Sequence, residues 1–244
     1  MKIKMALSLF LLAIIQNSFA AECSYDFNVN TYPVVSGKQY KFTTLSNTDG
    51  AGYAALKSSD GTWDGVGITK NLLQNGVVGF ELKSGVLTYN LSNTEAFSQN
   101  YLIGLKGVSN VDYLMFIHYG NNSFSATIPR VLIVHIVKKT NGSDVVLYSH
   151  SYSYDNQANQ KTGIYLNQDT KQIGLILNNI NQGYVVDMPE KLKEITFALS
   201  GGFPPFAANS SNLGKVLSQE YIFDRSQLSS GFPAGTKDIC GNSL

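Results

Sequence analysis

The sequence has 244 residues, 18 basic against 17 acidic side chains, and only 14% charged residues. Because it contains no basic patch or acidic run, we expect no nucleic-acid-binding surface. The chain is long enough to bury a sizeable core and shows no internal repeat or composition break, which favours one nearly neutral globular domain.

The first twenty residues are typical of an export signal. Lys2 and Lys4 precede an apolar stretch at residues 6–15, and small residues follow up to Ala20. The stretch is too short to span a bilayer, which takes about 20 residues. Glu22 directly before Cys23 disfavours a lipoprotein anchor. We therefore expect residues 1–20 to be a signal peptide and the protein to be exported, to the periplasm or outside the cell.

The two cysteines, Cys23 and Cys240, lie near the two ends of the mature chain. In an oxidising compartment this pair predicts a disulfide that ties the termini together. Closing so long a loop is worth about 4–5 kcal/mol in chain-entropy models. Two ligands of a metal site are the alternative, disfavoured because no histidine or third cysteine is nearby.

Runs of β-branched and aromatic residues alternate with short Gly, Asn, Ser and Asp turns, which predicts strands along the chain. The Ser84-Gly85 pair predicts a two-residue hairpin turn. Two of the runs, 113–119 and 130–137, are apolar on both faces, so we expect them deep in a sandwich. The predicted strands are 39–45, 77–83, 86–91, 113–119, 130–137, 145–154, 163–166, 173–177, 184–186, 195–199 and 219–223.

One helix start is present. Ser92 and Glu95 have the capping-box spacing, which predicts a short helix at residues 95–100, and residues 191–193 predict a further turn. Strands do not alternate with long helical patterns, so a parallel α/β sheet is disfavoured. We predict a single all-β domain over residues 22–244, an antiparallel β-sandwich of two packed sheets with one short helix.

The order of strands and turns in residues 163–202 resembles the late hairpin of concanavalin A-like sandwiches, including laminin G-like and SPRY-type domains. An apolar strand leads through the turn at Asp169 and Thr170 to the strand 173–177. A polar turn ending at Gly183 then precedes a strand that ends in glycine. Two departures are that Asn167 stands where an acid is frequent, and that the turn at 178–183 is long.

The whole chain also resembles an uncharacterised family of secreted proteins from Gram-negative bacteria, a domain of unknown function. The signal peptide, the terminal cysteine pair and the stretch VLIVHIVKK at residues 131–139 carry this resemblance. It implies no catalytic residues.

Catalytic patterns are absent from the sequence. Concanavalin A-like sandwiches that cut β-glucans commonly carry Glu-x-Asp-x-Glu on one strand, and no such run occurs here. Nucleophile-elbow, HExxH, Walker and Rossmann motifs are also missing, although a Ser-His-Asp site assembled from distant positions stays open. A hydrolase would need two carboxylates about 5–10 Å apart in a groove, and the candidates are Asp144, Asp155, Asp187 and Glu190.

Two of the three histidines lie on predicted strands with informative patterns. His135 alternates with valine and isoleucine, which favours a core residue. His150 alternates with Tyr148, Tyr152 and Tyr154, a face that either lines a groove or, as we prefer, is solvated.

Calcium is the one cofactor considered. The turns at residues 47–50 and 60–64 offer Asn and Asp oxygens beside glycines. Neither run supplies the six to eight ligands that calcium takes, so the default expectation is no cofactor.

Aromatic rings in polar loops give the ligand-binding prediction, because rings stack on sugars while Asn and Asp bond their hydroxyls. Plugging the ends of the sandwich is the alternative for the rings. The alternative is equally favoured for Trp63 and preferred for the two phenylalanines. The predicted ligand-binding residues are Trp63, Asp60, Asp64, Asn178, Asn179, Asn181, Phe203 and Phe206.

These features predict an exported, non-enzymatic, lectin-like module that binds a glycan or a surface protein. A polysaccharide-active hydrolase is one alternative. A structural component of the envelope is the other, and it requires a large exposed apolar patch and oligomers.

Overall fold

The computed structural model describes residues 25–27, 35–36, 39–46, 50–58, 69–87, 95–120 and 130–244. The predicted signal peptide, Cys23, and the loop with Asp60, Trp63 and Asp64 lie outside the described residues. The predictions made for them therefore stay predictions, including the Cys23–Cys240 disulfide.

Strands dominate the described part of the chain. They are β1 (Tyr25–Phe27), β2 (Val35–Ser36), β3 (Gln39–Thr43), β4 (Gly50–Ser58), β5 (Lys70–Asn71), β6 (Val77–Gly85), β7 (Ser98–Gly107), β8 (Asp112–Gly120), β9 (Val131–Lys138), β10 (Val145–Ser153), β11 (Asn159–Asn167), β12 (Gln172–Leu177), β13 (Ile180–Asp187), β14 (Leu192–Phe203), β15 (Val216–Ile222) and β16 (Thr236–Lys237). Each predicted strand falls on one of them except 86–91, of which only residues 86 and 87 are described and are irregular.

The strands form two packed sheets. The front sheet has the order β1-β4-β14-β7-β8-β9-β10, with β5 beside β14. The back sheet has the order β13-β12-β11-β6-β15-β3-β2, with β16 beside β6. The pairings are antiparallel except the short β16–β6 contact, which is parallel. The predicted all-β sandwich of two antiparallel sheets is therefore confirmed.

The core lies between the sheets and follows from alternation along the strands. In β7 every second residue is buried, from Gln99 to Gly107, as expected for a strand with one face on a core. Front-sheet residues such as Tyr101 and Ile117 meet back-sheet residues such as Phe80 and Leu175, and all four are fully buried. The two edges β10 and β13 lie next to each other on one side of the sandwich.

The predicted short helix is wrong. Residues 95–97 are irregular, β7 starts at Ser98, and no helix occurs within the described ranges. Glu95 is buried and accepts a hydrogen bond from Asn212 Nδ2 at 3.2 Å. The capping-box spacing is a local signal, and here the two-residue period of the following residues and their pairing with β8 and β14 override it. The predicted turn at residues 191–193 is also wrong, because β14 begins at Leu192.

The predicted Ser84-Gly85 turn is also wrong, because both residues end strand β6. Ser84 is buried and its hydroxyl lies 2.7 Å from that of Tyr101. Gly85 lies where a side chain would collide with the hydroxyl of Ser218. This glycine packs closely against Ser218 in the sheet and does not form a turn.

Candidate ligand-binding cleft

The turn between β12 and β13 is shorter than the sequence suggested. Asn178 and Asn179 both have positive φ, 46° and 70°, as a two-residue type I′ turn requires. β13 starts directly afterwards at Ile180. The sequence prediction of a long turn here is therefore wrong, and Ile180, Asn181 and Gln182 belong to a strand.

Asn178 is fixed by its own side chain. Its Oδ1 accepts a hydrogen bond from the Lys161 amide at 2.8 Å, and its Nδ2 donates to Gln160 Oε1 at 2.7 Å. Gln160 is buried and donates in turn to Asp155 Oδ1 at 2.7 Å. The chain Asn178–Gln160–Asp155 thus holds two amides and one carboxylate at fixed positions, which reduces the entropy cost of binding a polar ligand.

Aromatic side chains of β10 stand beside this polar chain. The hydroxyls of Tyr148 and Tyr152 are 2.7 Å apart, and the His150 ring packs edge-on against Tyr152 with centroids 4.5 Å apart. Partial burial, and then the hydrogen bond with Tyr148, raise the pKa of Tyr152 above its usual range. The hydroxyl therefore remains protonated and can both donate and accept.

Tyr152 and the polar chain line a cavity of about 320 Å³ at the side of the sandwich, which we call the edge cleft. Its volume lies within the range of small-ligand sites, roughly 300–1,000 Å³. Tyr119 lines it, and the Tyr119 hydroxyl lies 2.7 Å from that of the buried Thr162. The cleft is lined by Tyr119, Leu132, Tyr152, Ser153, Tyr154, Asp155, Gln160, Lys161, Leu177, Asn178, Ile180 and Gln182.

The three asparagines predicted to bind ligand lie in different environments in the structure. Asn178 lines the edge cleft. Asn179 is exposed at the turn and does not line it. Asn181 is committed elsewhere, because its Oδ1 accepts from the Tyr165 hydroxyl at 2.9 Å and from the Gly183 amide at 2.8 Å. Of the three, only Asn178 lines the edge cleft, and its role in ligand binding stays a prediction.

Phe203 and Phe206 are buried rather than displayed in a polar loop, so the structure does not favour their predicted role as ligand contacts. Their exposed fractions are 4% and 1%, and their ring centroids lie 5.9 Å apart. Phe203 also stacks on Phe42 at 5.5 Å. Both rings pack in the core, in agreement with the alternative interpretation that they plug the sandwich.

The sequence missed several residues of the edge cleft. Gln160, Lys161 and Tyr119 carried no signal, because only the pairing of β11 with β12 and the packing of the two sheets bring them to Asn178. The alternation of tyrosine and histidine along β10 was a usable signal. Its groove interpretation holds for Tyr152 and Tyr154, while His150 is exposed.

The four candidate carboxylates of a hydrolase lie apart. Asp155 lines the edge cleft, Asp144 pairs with Lys139 at 2.6 Å, and Asp187 accepts from Gln172. Among the described residues no two of the four line the cleft, so the pair that glycoside hydrolysis needs is not assembled from them there.

Glu190, the fourth, caps a turn. It accepts hydrogen bonds from the Ser109 amide and hydroxyl, at 2.7 and 2.6 Å, and from the Tyr113 hydroxyl at 2.8 Å. Burial by itself raises the pKa of Glu190, but these hydrogen bonds outweigh it and hold the pKa below its usual value. A carboxyl held ionised in this way does not suit the role of general acid.

A second cavity, of about 330 Å³, lies on the outer face of the front sheet. Gly104 and Thr196 both line it, and a side chain at position 104 would collide with the Thr196 hydroxyl. Its acids, Asp112 and Glu194, each lie close to a lysine, with Lys106 Nζ 3.2 Å from Asp112. Because its charged groups are engaged in ion pairs and no exposed aromatic ring lines it, we prefer the edge cleft for a polar, uncharged ligand.

Metal ligands are not gathered in the part of the chain that the structure describes, where no group of three His, Cys, Asp or Glu occurs. The two turns proposed for calcium lie outside this part, apart from Gly50. His118, buried on β8, lies with its Nδ1 2.6 Å from Asn100 Oδ1, and burial lowers its pKa from 6.5 to about 4. It is a neutral structural histidine.

A family described as Domain of unknown function (DUF4882) matches residues 13–242 of this sequence. The chain belongs to this family. No protein among the curated ones matches it. In the described ranges, no helix is long and apolar enough to cross a membrane.

Several solved structures resemble this protein distantly. The kappa-carrageenase from Pseudoalteromonas carrageenovora is 15% identical with a TM-score of 0.44, covering 81% of this chain and 86% of the enzyme chain. A legume lectin-like domain from Entamoeba histolytica is 14% identical with a TM-score of 0.43, covering 81% and 89%. The carbohydrate-binding module CBM66 from Bacillus subtilis is 10% identical with a TM-score of 0.35, covering 82% and 97%. Similarity at this level does not show what this protein binds or whether it is an enzyme. A proposal about its ligand must rest on the residues of the cleft.

Proposed function

We propose that this DUF4882 protein is an exported glycan-binding module, and that its binding site is the edge cleft. The observation that carries the proposal is the combination of Tyr152 with the fixed chain Asn178–Gln160–Asp155 around one cavity. A sugar ring has an apolar face that stacks on an aromatic ring and hydroxyls that exchange hydrogen bonds with amides and carboxylates.

The charges of the cleft favour a neutral sugar. Asp155 and Lys161 are the two charged residues that line it. The Lys161 ammonium donates to the Ser229 hydroxyl at 2.7 Å, so it is turned toward a neighbouring loop. The Asp155 carboxylate accepts hydrogen bonds from the hydroxyls of a neutral sugar and repels a sulfate or carboxylate group placed beside it.

A glycan array of neutral and anionic oligosaccharides, probed with mature protein, tests this proposal. We expect binding to neutral members, followed by titration calorimetry with the best of them. Tyr152→Ala should weaken binding about tenfold, which is about 1.4 kcal/mol. Tyr184→Ala is the matched control, because Tyr184 is also an edge-strand tyrosine, exposed by 41%, and does not line the cleft.

The proposal fails if the array shows no binding, or if the two tyrosine variants lose affinity equally. Asp155→Asn removes the negative charge and keeps the shape of the side chain, so it tests the role of the charge alone. It should preserve binding to neutral sugars within a few-fold and raise binding to anionic ones, and an unchanged preference contradicts the selectivity.

Export is part of the same proposal and rests on residues 1–20 and on the cysteine pair. Cell fractionation with intact-mass measurement should find a chain that lacks the first twenty or so residues in the periplasm or medium. Its mass should be about 2 Da below that of the reduced form, since a Cys23–Cys240 disulfide removes two hydrogens. A full-length cytoplasmic chain with reactive thiols contradicts export.

A further inference from the structure

Strand β10 forms an unusual edge of the front sheet. Among the described strands its one neighbour in the sheet is β9. The opposite end of that sheet is β1, which has three residues, whereas β10 has nine. Natural edges are commonly protected by shortness, charge or proline, because unpaired N–H and C=O groups recruit other strands.

Residues 148–153 of β10 carry none of the usual protection. The strand reads VVLYSHSYS, without a charged residue or a proline. Its first two residues, Val145 and Val146, are exposed by 49% and 55%. The ladder to β9 is irregular only between Val146 and Tyr148 and is regular from there to Ser153. A regular, uncharged edge suits the addition of a strand.

The strand is also palindromic about His150. Residues 148–152 read Tyr-Ser-His-Ser-Tyr. In an antiparallel pair of identical strands centred on His150, each residue faces its mirror position. Tyr148 then lies opposite Tyr152 of the second copy, and Ser149 opposite Ser151. Aromatic pairs and hydroxyl pairs are favourable across antiparallel strands, and identical residues related by a two-fold axis form an isologous, closed interface.

We propose that β10 pairs antiparallel with β10 of a second copy of this chain, centred on His150, and continues the front sheet through a two-fold dimer. The contact is one strand long, so the dimer is weak and concentration-dependent. The proposal concerns the backbone edge of β10 and does not depend on glycan binding in the edge cleft.

The register can be tested with two exposed serines. Ser149 pairs with His135 and Ser151 with Ile133 across the β9 ladder, so both lie on the face opposite Tyr148 and Tyr152. Ser149→Lys and Ser151→Glu are therefore expected to leave the cleft and the fold unchanged. In the proposed register position 149 of one copy faces position 151 of the other, so the two variants are complementary to each other.

Sedimentation velocity of the mature protein at micromolar concentrations measures the association. Wild type should form a dimer that dissociates on dilution. Each single variant should associate about tenfold more weakly, because a charge is placed at the edge. An equimolar mixture of the two should recover association, because the lysine introduced in one copy then faces the glutamate introduced in the other. Val216→Lys is the control, since Val216 is also exposed by 55% but lies in β15, between β3 and β6.

A wild-type protein that stays monomeric at all concentrations overturns the proposal, and so does open-ended aggregation in place of a dimer. A dimer that Val216→Lys weakens as much as Ser149→Lys also overturns it. Failure of the mixture to recover association would refute the register centred on His150.

Discussion

Two groups of aromatic rings in this protein were candidates for the same role, and they ended in opposite environments. Phe203 and Phe206 follow a glycine pair in a loop-like sequence, yet both are buried in the core. Tyr148 and Tyr152 lie on a regular strand, yet they stand at the open side of the sandwich beside a cavity. Position in the front sheet explains the difference, because Phe203 ends β14, in the interior of the sheet, and Phe206 follows it, whereas β10 is the edge strand. Ring type does not decide it, since Tyr101 is also fully buried, with its hydroxyl hydrogen-bonded to Ser84.

Truncating one ring of each group gives the strongest test of this difference between core rings and cleft rings. Phe206→Ala should lower the free energy of unfolding by about 3–5 kcal/mol, the usual cost of removing a buried phenylalanine. Tyr152→Ala should cost about 1 kcal/mol, because Tyr152 is half-buried at an edge. Urea denaturation followed by circular dichroism measures both. Equal losses would show that Tyr152 is a core residue and not a ligand contact.

Two histidines show the same difference between a buried and an exposed ring, and the pH dependence of stability can test it. His118 is 2% exposed, whereas His150 is exposed on the edge strand. Burial lowers the pKa of His118 from 6.5 to about 4, so the unfolded chain takes up a proton at a higher pH than the folded protein. Stability attributable to His118 is therefore complete above pH 6.5 and declines as the pH falls toward about 4.

We expect this decline to reach about 3 kcal/mol, from a shift of roughly 2.5 pKa units at about 1.36 kcal/mol each. Denaturation of wild type and His118→Asn across that pH range measures it, and His150→Asn serves as the control. The His118 variant should show a flatter pH profile than wild type, and a profile that only His150→Asn flattens would reverse the assignment.

A smaller effect is expected at the turn that forms the wall of the cleft. Asn178→Ala places alanine at a φ of 46° and removes two side-chain hydrogen bonds. The expected cost is about 2 kcal/mol, together with weaker glycan binding, because Gln160 loses a partner. Thermal unfolding and calorimetry measure the two effects, and a variant with wild-type affinity would separate the turn from the site.

The smallest effect is expected one residue later. Asn179→Gly relieves a φ of 70° at a position without a role in the cleft. Stability should stay the same or rise by about 0.5 kcal/mol, with glycan affinity unchanged. A loss of affinity in this variant would mean that Asn179, and not Asn178, contacts the ligand.

The fold was largely predictable because strand signals are local and periodic. The runs that became β8, β9, β11 and β12 alternate or are apolar throughout, and turns with Gly, Asn and Asp separate them. The errors came from local signals that tertiary pairing overrode. Glu95 had capping-box spacing but is buried next to Asn212, and Gly85 had turn character but accommodates Ser218.

The candidate site was predictable only in part, because it is assembled from several strands and turns of both sheets. Asn178 was among the predicted ligand-binding residues, whereas the tyrosines of β10 were preferred as a solvated face, with a groove as the alternative. Gln160 was not, since a single glutamine has no sequence signature and owes its role to hydrogen bonds with Asp155 and Asn178. Phe203 and Phe206 were misleading because a glycine-rich neighbourhood does not determine whether a ring is exposed.

The central claim, that the edge cleft binds a glycan, is tested most directly by nuclear magnetic resonance. Titrating labelled mature protein with the strongest neutral oligosaccharide from the array should shift the side-chain amide signals of Asn178, Gln160 and Gln182 together, with one affinity. The backbone amides of Lys106 and Glu194, in the cavity on the outer face of the front sheet, should not move. Shifts confined to those two, with the cleft amides unchanged, would contradict the account.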